Sequence, residues 1–317
     1  MFDRSRLALV ALAALLALAA AACSSSGADG IATSGTVPEA PASFPVTITD
    51  SSGVDVVIDA MPRRIISISP ASTEILFAIG AGDQVIAVDE FSDHPPEAPT
   101  TDLSGFEPNV EAIATFEPDL VIMSFDPGDV VSALTALDIP AMQHFSANTL
   151  DDTYAQMEQL GIVTGHRDEA AALEVQMRAD LDDLAAATTD LDPAPTYYHE
   201  LDDTLFSATS ATFIGSVYSM AGLVNIADEA DVDGFGFPQL SVEYILEQDP
   251  DFIFLADTKC CGQDASTVAA RPGWDELTAV REGRVIELDD DIASRWGPRI
   301  VEFFATITDA ITPAEVN

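Results

Sequence analysis

The stretch RDEAAALEVQMRADLDDLAAATTD, residues 167–190, separates two sets of short apolar runs. Its Ala, Leu, Glu and Gln are strong helix formers, and its apolar residues recur at helical spacing, which predicts one long helix. A helix of that length spans about 30 Å, enough to bridge two lobes. DLDPAP (190–195) ends it, because proline offers no amide proton to continue the ladder. On its N-terminal side lies VTITDSSGVDVVID (46–59), a hairpin turning at Ser52-Gly53. RIISIS (64–69) then leads into a helix through Pro70, Ser72 and Thr73, followed by VIAVD (85–89), DLVIMS (119–124) and AMQHF (141–145). On the other side TYYHEL (196–201), DFIFLA (251–256) and RVIELD (284–289) repeat the alternation. Short strands interleaved with helices predict parallel sheets. The expected fold class is α/β, with two parallel-sheet lobes (44–166 and 191–317) joined by a rigid helix at 167–190.

An internal echo supports two lobes built on one plan. EAIATFEPDLVI begins at Glu111 and EYILEQDPDFIF at Glu243, an offset of 132 residues (111 against 243). At that offset Ile113 meets Ile245, and Pro118-Asp119 meets Pro250-Asp251. Both segments end in an apolar strand. The alternative is convergence on a common α/β junction.

The charge balance is extreme: 12 Lys plus Arg against 54 Asp plus Glu, a net charge of -42. Such a surface repels phosphates and anionic membranes, so no nucleic-acid partner is expected. The simpler explanation of the charge is a salty habitat, where acidic surfaces stay soluble, and it says nothing about fold. At 317 residues the chain is long enough for two lobes, each with its own core.

Residues 1–22 read as an export signal, with Arg4 and Arg6 ahead of the apolar run Leu7 to Ala22. They resemble a bacterial lipoprotein signal, in which Cys23 becomes the lipidated first residue, although Ala20 stands where leucine is usual. Residues 23–43, rich in Ser, Gly, Ala and Pro, are expected to be a flexible tether. The expectation is an exported protein anchored by lipid to the outer face of the cytoplasmic membrane. The alternative is a cleaved signal that frees the protein.

RIISISPASTEILFAIGAGDQVIAVDEFSDHPPEA, NVEAIATFEPDLVIMS, FPQLSVEYILEQDPDFIFLA and DIASRWGPRIVEF occur in that order. Together they resemble the bacterial solute-binding proteins of ABC importers for ferric siderophores, haem and cobalamin, over about residues 46–312. The resemblance implies a ligand cleft between two lobes. It also implies a monomeric binding protein whose partners are a permease dimer and a bulky iron chelate or corrinoid, with no cofactor and no enzymatic activity. Glu111 and Glu243 fall where the family presents glutamates to permease arginines.

In open parallel sheets ligands bind beyond the carboxyl ends of the strands, which here places Ser69, Phe91, Phe125, Lys259 and the stretch Asp291 to Trp296 at the cleft. Aromatic rings there suit a large, flat, partly apolar ligand. By resemblance to cobalamin-binding members, Phe91, Phe106, Phe125 and Phe237 fall where those proteins often carry Tyr or Trp, and Asp291 and Arg295 on their ligand-facing Asp and Arg. At least one of the four phenylalanines is expected to lie in a core. Ten basic residues remain after the signal, so a cation at the cleft stands out; Arg295, next to Trp296, could grip a carboxylate, phosphate or amide.

TKCCGQD (258–264) holds the only lysine and two of the three cysteines. Adjacent thiolates reach one metal poorly and lack the spacer of a thioredoxin-like pair. The reading is a cleft loop with Lys259 over the pocket and Cys260 and Cys261 either in a vicinal disulfide or buried and reduced. Two rival functions remain. His94, His144 and His199, with Glu200 and Asp257, could hold Zn²⁺ or Mn²⁺, making a transition-metal binding protein of an importer. An enzyme is disfavoured: no nucleophile elbow, Walker loop, dinucleotide fingerprint or H-E-x-x-H occurs.

Overall fold

The computed structural model describes residues 43–188 and 191–312. The expected signal, Cys23 and nearly all of the tether lie outside these residues. The chain opens with an antiparallel hairpin, β1 (Val46–Thr49) and β2 (Asp55–Ile58), with Val46 opposite Ile58. The Asp50 carboxylate closes its turn by accepting from the amides of Ser52 and Val54. There follow β3 (Ile65–Ile68), α1 (Pro70–Ala78), β4 (Val85–Asp89), β5 (Thr100–Leu103), α2 (Val110–Thr115), β6 (Leu120–Met123), α3 (Val130–Thr135), β7 (Ala141–Gln143) and α4 (Leu150–Thr164). The strands form a parallel sheet ordered β5-β4-β3-β6-β7. β3 and β6 are buried at every position, as central strands covered on both faces must be.

The long helix is α5 (Arg167–Ala186), which stops short of the expected Asp190. Beyond it come β8 (Thr196–Glu200), α6 (Phe213–Met220), β9 (Val224–Asn225), α7 (Val242–Gln248), β10 (Phe252–Leu255), α8 (Thr258–Cys261), α9 (Ala265–Ala269), α10 (Thr278–Arg281), β11 (Val285–Glu287), α11 (Asp290–Ser294) and α12 (Ile300–Ile311). The second parallel sheet is ordered β11-β10-β8-β9. Edge strands β5 and β9 carry no apolar run, TTDL and VN, and so leave no strand signal in the sequence.

The 132-residue echo is structural. Asn109 and Ser241 cap α2 and α7, each accepting from the amide three residues on. Ile113 and Ile245 are fully buried in separate cores. Glu117 and Asp249 both adopt a left-handed backbone, φ 49° and 42°, immediately before the prolines. The aspartates then make equivalent clips: Asp119 accepts from the amides of Arg63 and Arg64 before β3, and Asp251 from the amide of Thr196 that opens β8. Thus β3, β4, β6 and β7 correspond to β8, β9, β10 and β11.

Each lobe has its own outer core, around Ile66, Val121 and Met123 in the first and Tyr198, Ile253 and Trp274 in the second. A third cluster corrects the picture of two separate cores. It runs from Ile65 and Ile75 through Met157 and Leu160 of α4, and Met177 and Leu181 of α5, to Phe254, Phe303 and Ile307. Pro41–Asn317 is accordingly a single compact unit. The bridge is therefore packed along its length, and lobe motion must displace that shared apolar surface. Met177 is 2% exposed within it. Met177→Ala should cost about 2–5 kcal/mol in denaturant unfolding, with both lobes still melting in one transition. Separate transitions for the lobes would contradict a shared core.

Candidate ligand cleft

Because all strands of each sheet are parallel, their carboxyl ends emerge along one edge, and the loops there carry exposed rings. Phe91, Phe106 and Phe125 follow β4, β5 and β6 and are 48%, 64% and 38% exposed. Their rings touch in series: Phe91 to Phe106 at 5.6 Å, edge-on, and Phe106 to Phe125 at 6.1 Å. Phe237 is 47% exposed, so none of the four phenylalanines lies in a core, against expectation. The loop of Phe106 is held by the Ser104 hydroxyl, which accepts from the amides of Phe106 and Glu107. Gly105 lets this loop lie against the sheet; a Cβ there would meet Asp89 Oδ2 at 2.8 Å and Ile68 O at 2.9 Å. Phe145, which the sequence places directly after the strand AMQH at the cleft edge, is 40% exposed. Phe206 and Phe235, which sequence reasoning missed, are exposed on loops as well.

A line of contacts crosses from these rings to the other lobe. Arg295 Nη2 donates to Phe91 O at 2.8 Å and to Asp291 Oδ1 at 2.7 Å, while Nη1 donates to Glu74 Oε1 at 3.0 Å and Asp93 Oδ1 at 3.1 Å. Arg299 adds two bonds to the same Glu74 carboxylate. Both terminal nitrogens of Arg295 are thus doubly engaged, and its side chain is 10% exposed. Arg295 thus ties the lobes through a guanidinium already engaged on both terminal nitrogens. Trp296 has a similar part: half-buried, it donates Nε1–H to Gln156 of α4 at 3.0 Å. Ser69 is fully buried, and its hydroxyl caps α1 and accepts from Ser124, so it is not presented to the cleft. Glu74, missed from sequence, is betrayed by being the one charge in the buried helix PASTEILFA.

TKCC is a short helix, α8, rather than a loop. Asp290 accepts from the amides of Thr258, Lys259 and Cys260 at 2.9 Å and fixes its start. Cys260 and Cys261 pair as a vicinal disulfide, and Gly262 at φ 66° makes the exit. Lys259 Nζ lies 2.7 Å from Asp289 and 2.8 Å from Asp291. The DDD run is therefore consumed: Asp289 caps α11 and pairs with Lys259, Asp290 caps α8, and Asp291 joins Lys259 to Arg295.

The metal reading fails on geometry. His144 and His199 are fully buried in different lobes, bonded to Ser72 and Gln159 and to Tyr218 respectively. Burial pushes them down to about 4 and about 3, so both stay neutral. His94 lies elsewhere, beside a small groove with Glu97 and Arg299. Glu200 is fully buried and takes a bidentate pair from Arg271 at 2.7 and 2.5 Å. Among the described residues no group of three potential ligands converges. A separate surface groove of about 680 Å³ between β2 and β7 lies beside Pro118 and Pro140, at the amino ends of the strands, away from the rings.

Asp257, behind α8, is fully buried, and burial followed by the neighbouring Glu200 carboxylate pushes it up to about 8. The native state thus holds a proton that the unfolded chain releases near pH 4, so this group's stabilisation fades as pH rises towards about 8. Asp257→Asn should flatten the melting temperature against pH between about 5 and 8 relative to wild type; an unchanged slope would contradict it. Glu74→Ala should cost about 3–5 kcal/mol in denaturant unfolding, because it leaves two guanidinium groups without their shared carboxylate. A loss within experimental error would mean the junction contributes nothing.

A family model described as periplasmic binding protein matches residues 65–292. The chain is 31% identical over 280 residues to an uncharacterized ABC transporter substrate-binding lipoprotein of Bacillus subtilis, spanning 85% of this chain and 86% of that one. It is 32% identical over 279 residues to a cobalamin-binding protein of Halobacterium salinarum, spanning 84% and 74%. The periplasmic vitamin B12 binding protein of Vibrio cholerae superposes with a TM-score of 0.62 at 27% identity, covering 78% of this chain and 97% of that one. A heme binding protein superposes at 0.71 with 19% identity, covering 88% and 93%, a likeness of fold. Matched by that model over most of the two lobes, and by relatives above 30% identity over more than four-fifths of its length, the chain belongs to the periplasmic binding protein family.

Proposed function

We propose that this protein is the substrate-binding component of an ABC importer, capturing a ferric siderophore, haem or corrinoid outside the cytoplasmic membrane and handing it to a permease. The observation that carries the reading is the band of exposed phenylalanines at the carboxyl ends of two facing parallel sheets. Exposed rings that contact one another form an apolar platform, and such a patch on a folded surface marks a binding site. Phe91, Phe106, Phe125 and Phe237 supply ring faces, and Lys259, Asp291 and the vicinal disulfide form the opposite wall. No step of bond chemistry is required of any residue, and the protein acts as a binder. A lipid on Cys23 would keep the monomer at the membrane. Native mass spectrometry against cobalamin, haemin and ferric siderophores should give a one-to-one complex with one class. Binding of Zn²⁺ with none of these would overturn the reading.

Delivery needs a matching contact on each lobe, since a permease dimer presents two equivalent surfaces. Glu111 and Glu243 supply it: both are exposed in the first turn of equivalent helices, 132 residues apart (111 against 243). Glu111→Ala combined with Glu243→Ala should abolish uptake and leave ligand affinity within about twofold of wild type. Normal uptake by the double variant would exclude these residues from docking.

A further inference from the structure

We infer that the cleft selects by charge, accepting neutral or cationic ligands and rejecting polyanionic chelates; this rests on the binding role just proposed. Its basic groups are already spent. Lys259 is held between Asp289 and Asp291, and Arg295 among Glu74, Asp93 and Asp291. Arg299 and Arg271 are paired with Glu74 and Glu200. To recruit any of these cations an anionic ligand must displace a carboxylate that stays nearby.

The rings, by contrast, sit beside carboxylates that have no ion pair among the described residues. Glu90 flanks Phe91, Glu107 follows Phe106, Asp203 precedes Phe206 and Asp233 precedes Phe235, and all four carboxylates are exposed. The phenylalanines themselves offer no hydrogen-bond donor to an anionic oxygen. Apolar walls of low dielectric with acid at the rim focus a negative potential into the cleft, which repels like-charged ligands and draws in cations. The uncharged ring faces still bury a macrocycle or an apolar chelate shell.

The test uses equilibrium binding at low salt with four probes: cyanocobalamin (neutral), ferrioxamine B (cationic), haemin (two propionates) and a ferric tris-catecholate (trianionic). At least one of the first two should bind at least tenfold more tightly than either anion. The gap should narrow as added salt shortens the screening length from about 10 Å to about 3 Å. Phe106→Arg, placing a cation on the most exposed of the three touching rings, should move the anion-to-neutral affinity ratio at least tenfold towards the anion. Val175→Arg, on α5 at 69% exposure, makes the same change in net charge away from the rings and should move that ratio less than twofold. Haemin or the catecholate binding as tightly as the neutral probe overturns charge selection and leaves the binding role standing. Equal shifts from both arginine variants assign the effect to overall charge and overturn a cleft origin. Failure of every probe to bind overturns the binding role and the inference together.

Discussion

Two arginines of one lobe converge on a single buried carboxylate of the other, and the geometry of the cleft depends on that junction. Glu74, in α1 at the floor of the first lobe, receives Arg295 and Arg299 from the segment that joins α11 to α12. Removing a carboxylate from water costs several kcal/mol unless its lone pairs are well satisfied, and here three charge-assisted bonds do so. Such a junction contributes less to stability than to register: it holds one relative placement of the lobes. Arg295 continues outward to Phe91 O and Asp291, so the same guanidinium sets the first ring of the aromatic platform and the first residue of the opposite wall.

Around this junction the two lobes repeat one plan. A capped helix, a left-handed residue, a Pro-Asp pair and a buried strand recur in each, and the aspartate clips the neighbouring strand in both. The repeat brings both sets of strand ends to bear on a common space. Packing between α4, α5 and α12 then fixes the lobes over an apolar surface too continuous for easy hinge motion. Ligand recognition in such a frame must come from the loops, and the loops here offer rings and carboxylates.

Much of this was legible in the sequence. α5 was visible because its helix formers and apolar spacing agree, and the lobes because their strands are short, β-rich and buried on both faces. The echo was visible because Pro-Asp and the capped helix impose the same residues twice. What sequence could not supply was partnership across large separations. Arg295 reads as a free cation until Glu74, 221 residues away along the chain, is seen beside it. Ser69 reads as a strand-end hydroxyl until α1 is seen to need it as a cap. Histidines after strands look like ligands until their burial in separate lobes is known, and TKCC looks like a loop until Asp290 is seen satisfying its amides.

In this reading, ligand lies on the exposed phenylalanine platform of a cleft whose lobes do not rearrange. Fluorine NMR of fluorophenylalanine-labelled protein, titrated with the ligand that binds, tests both halves at once. Resonances assigned to Phe91, Phe106, Phe125 and Phe237 should move, while those of the buried Phe254, Phe303 and Phe304 stay in place. Movement of the buried set, or silence from all four exposed rings, would contradict the account.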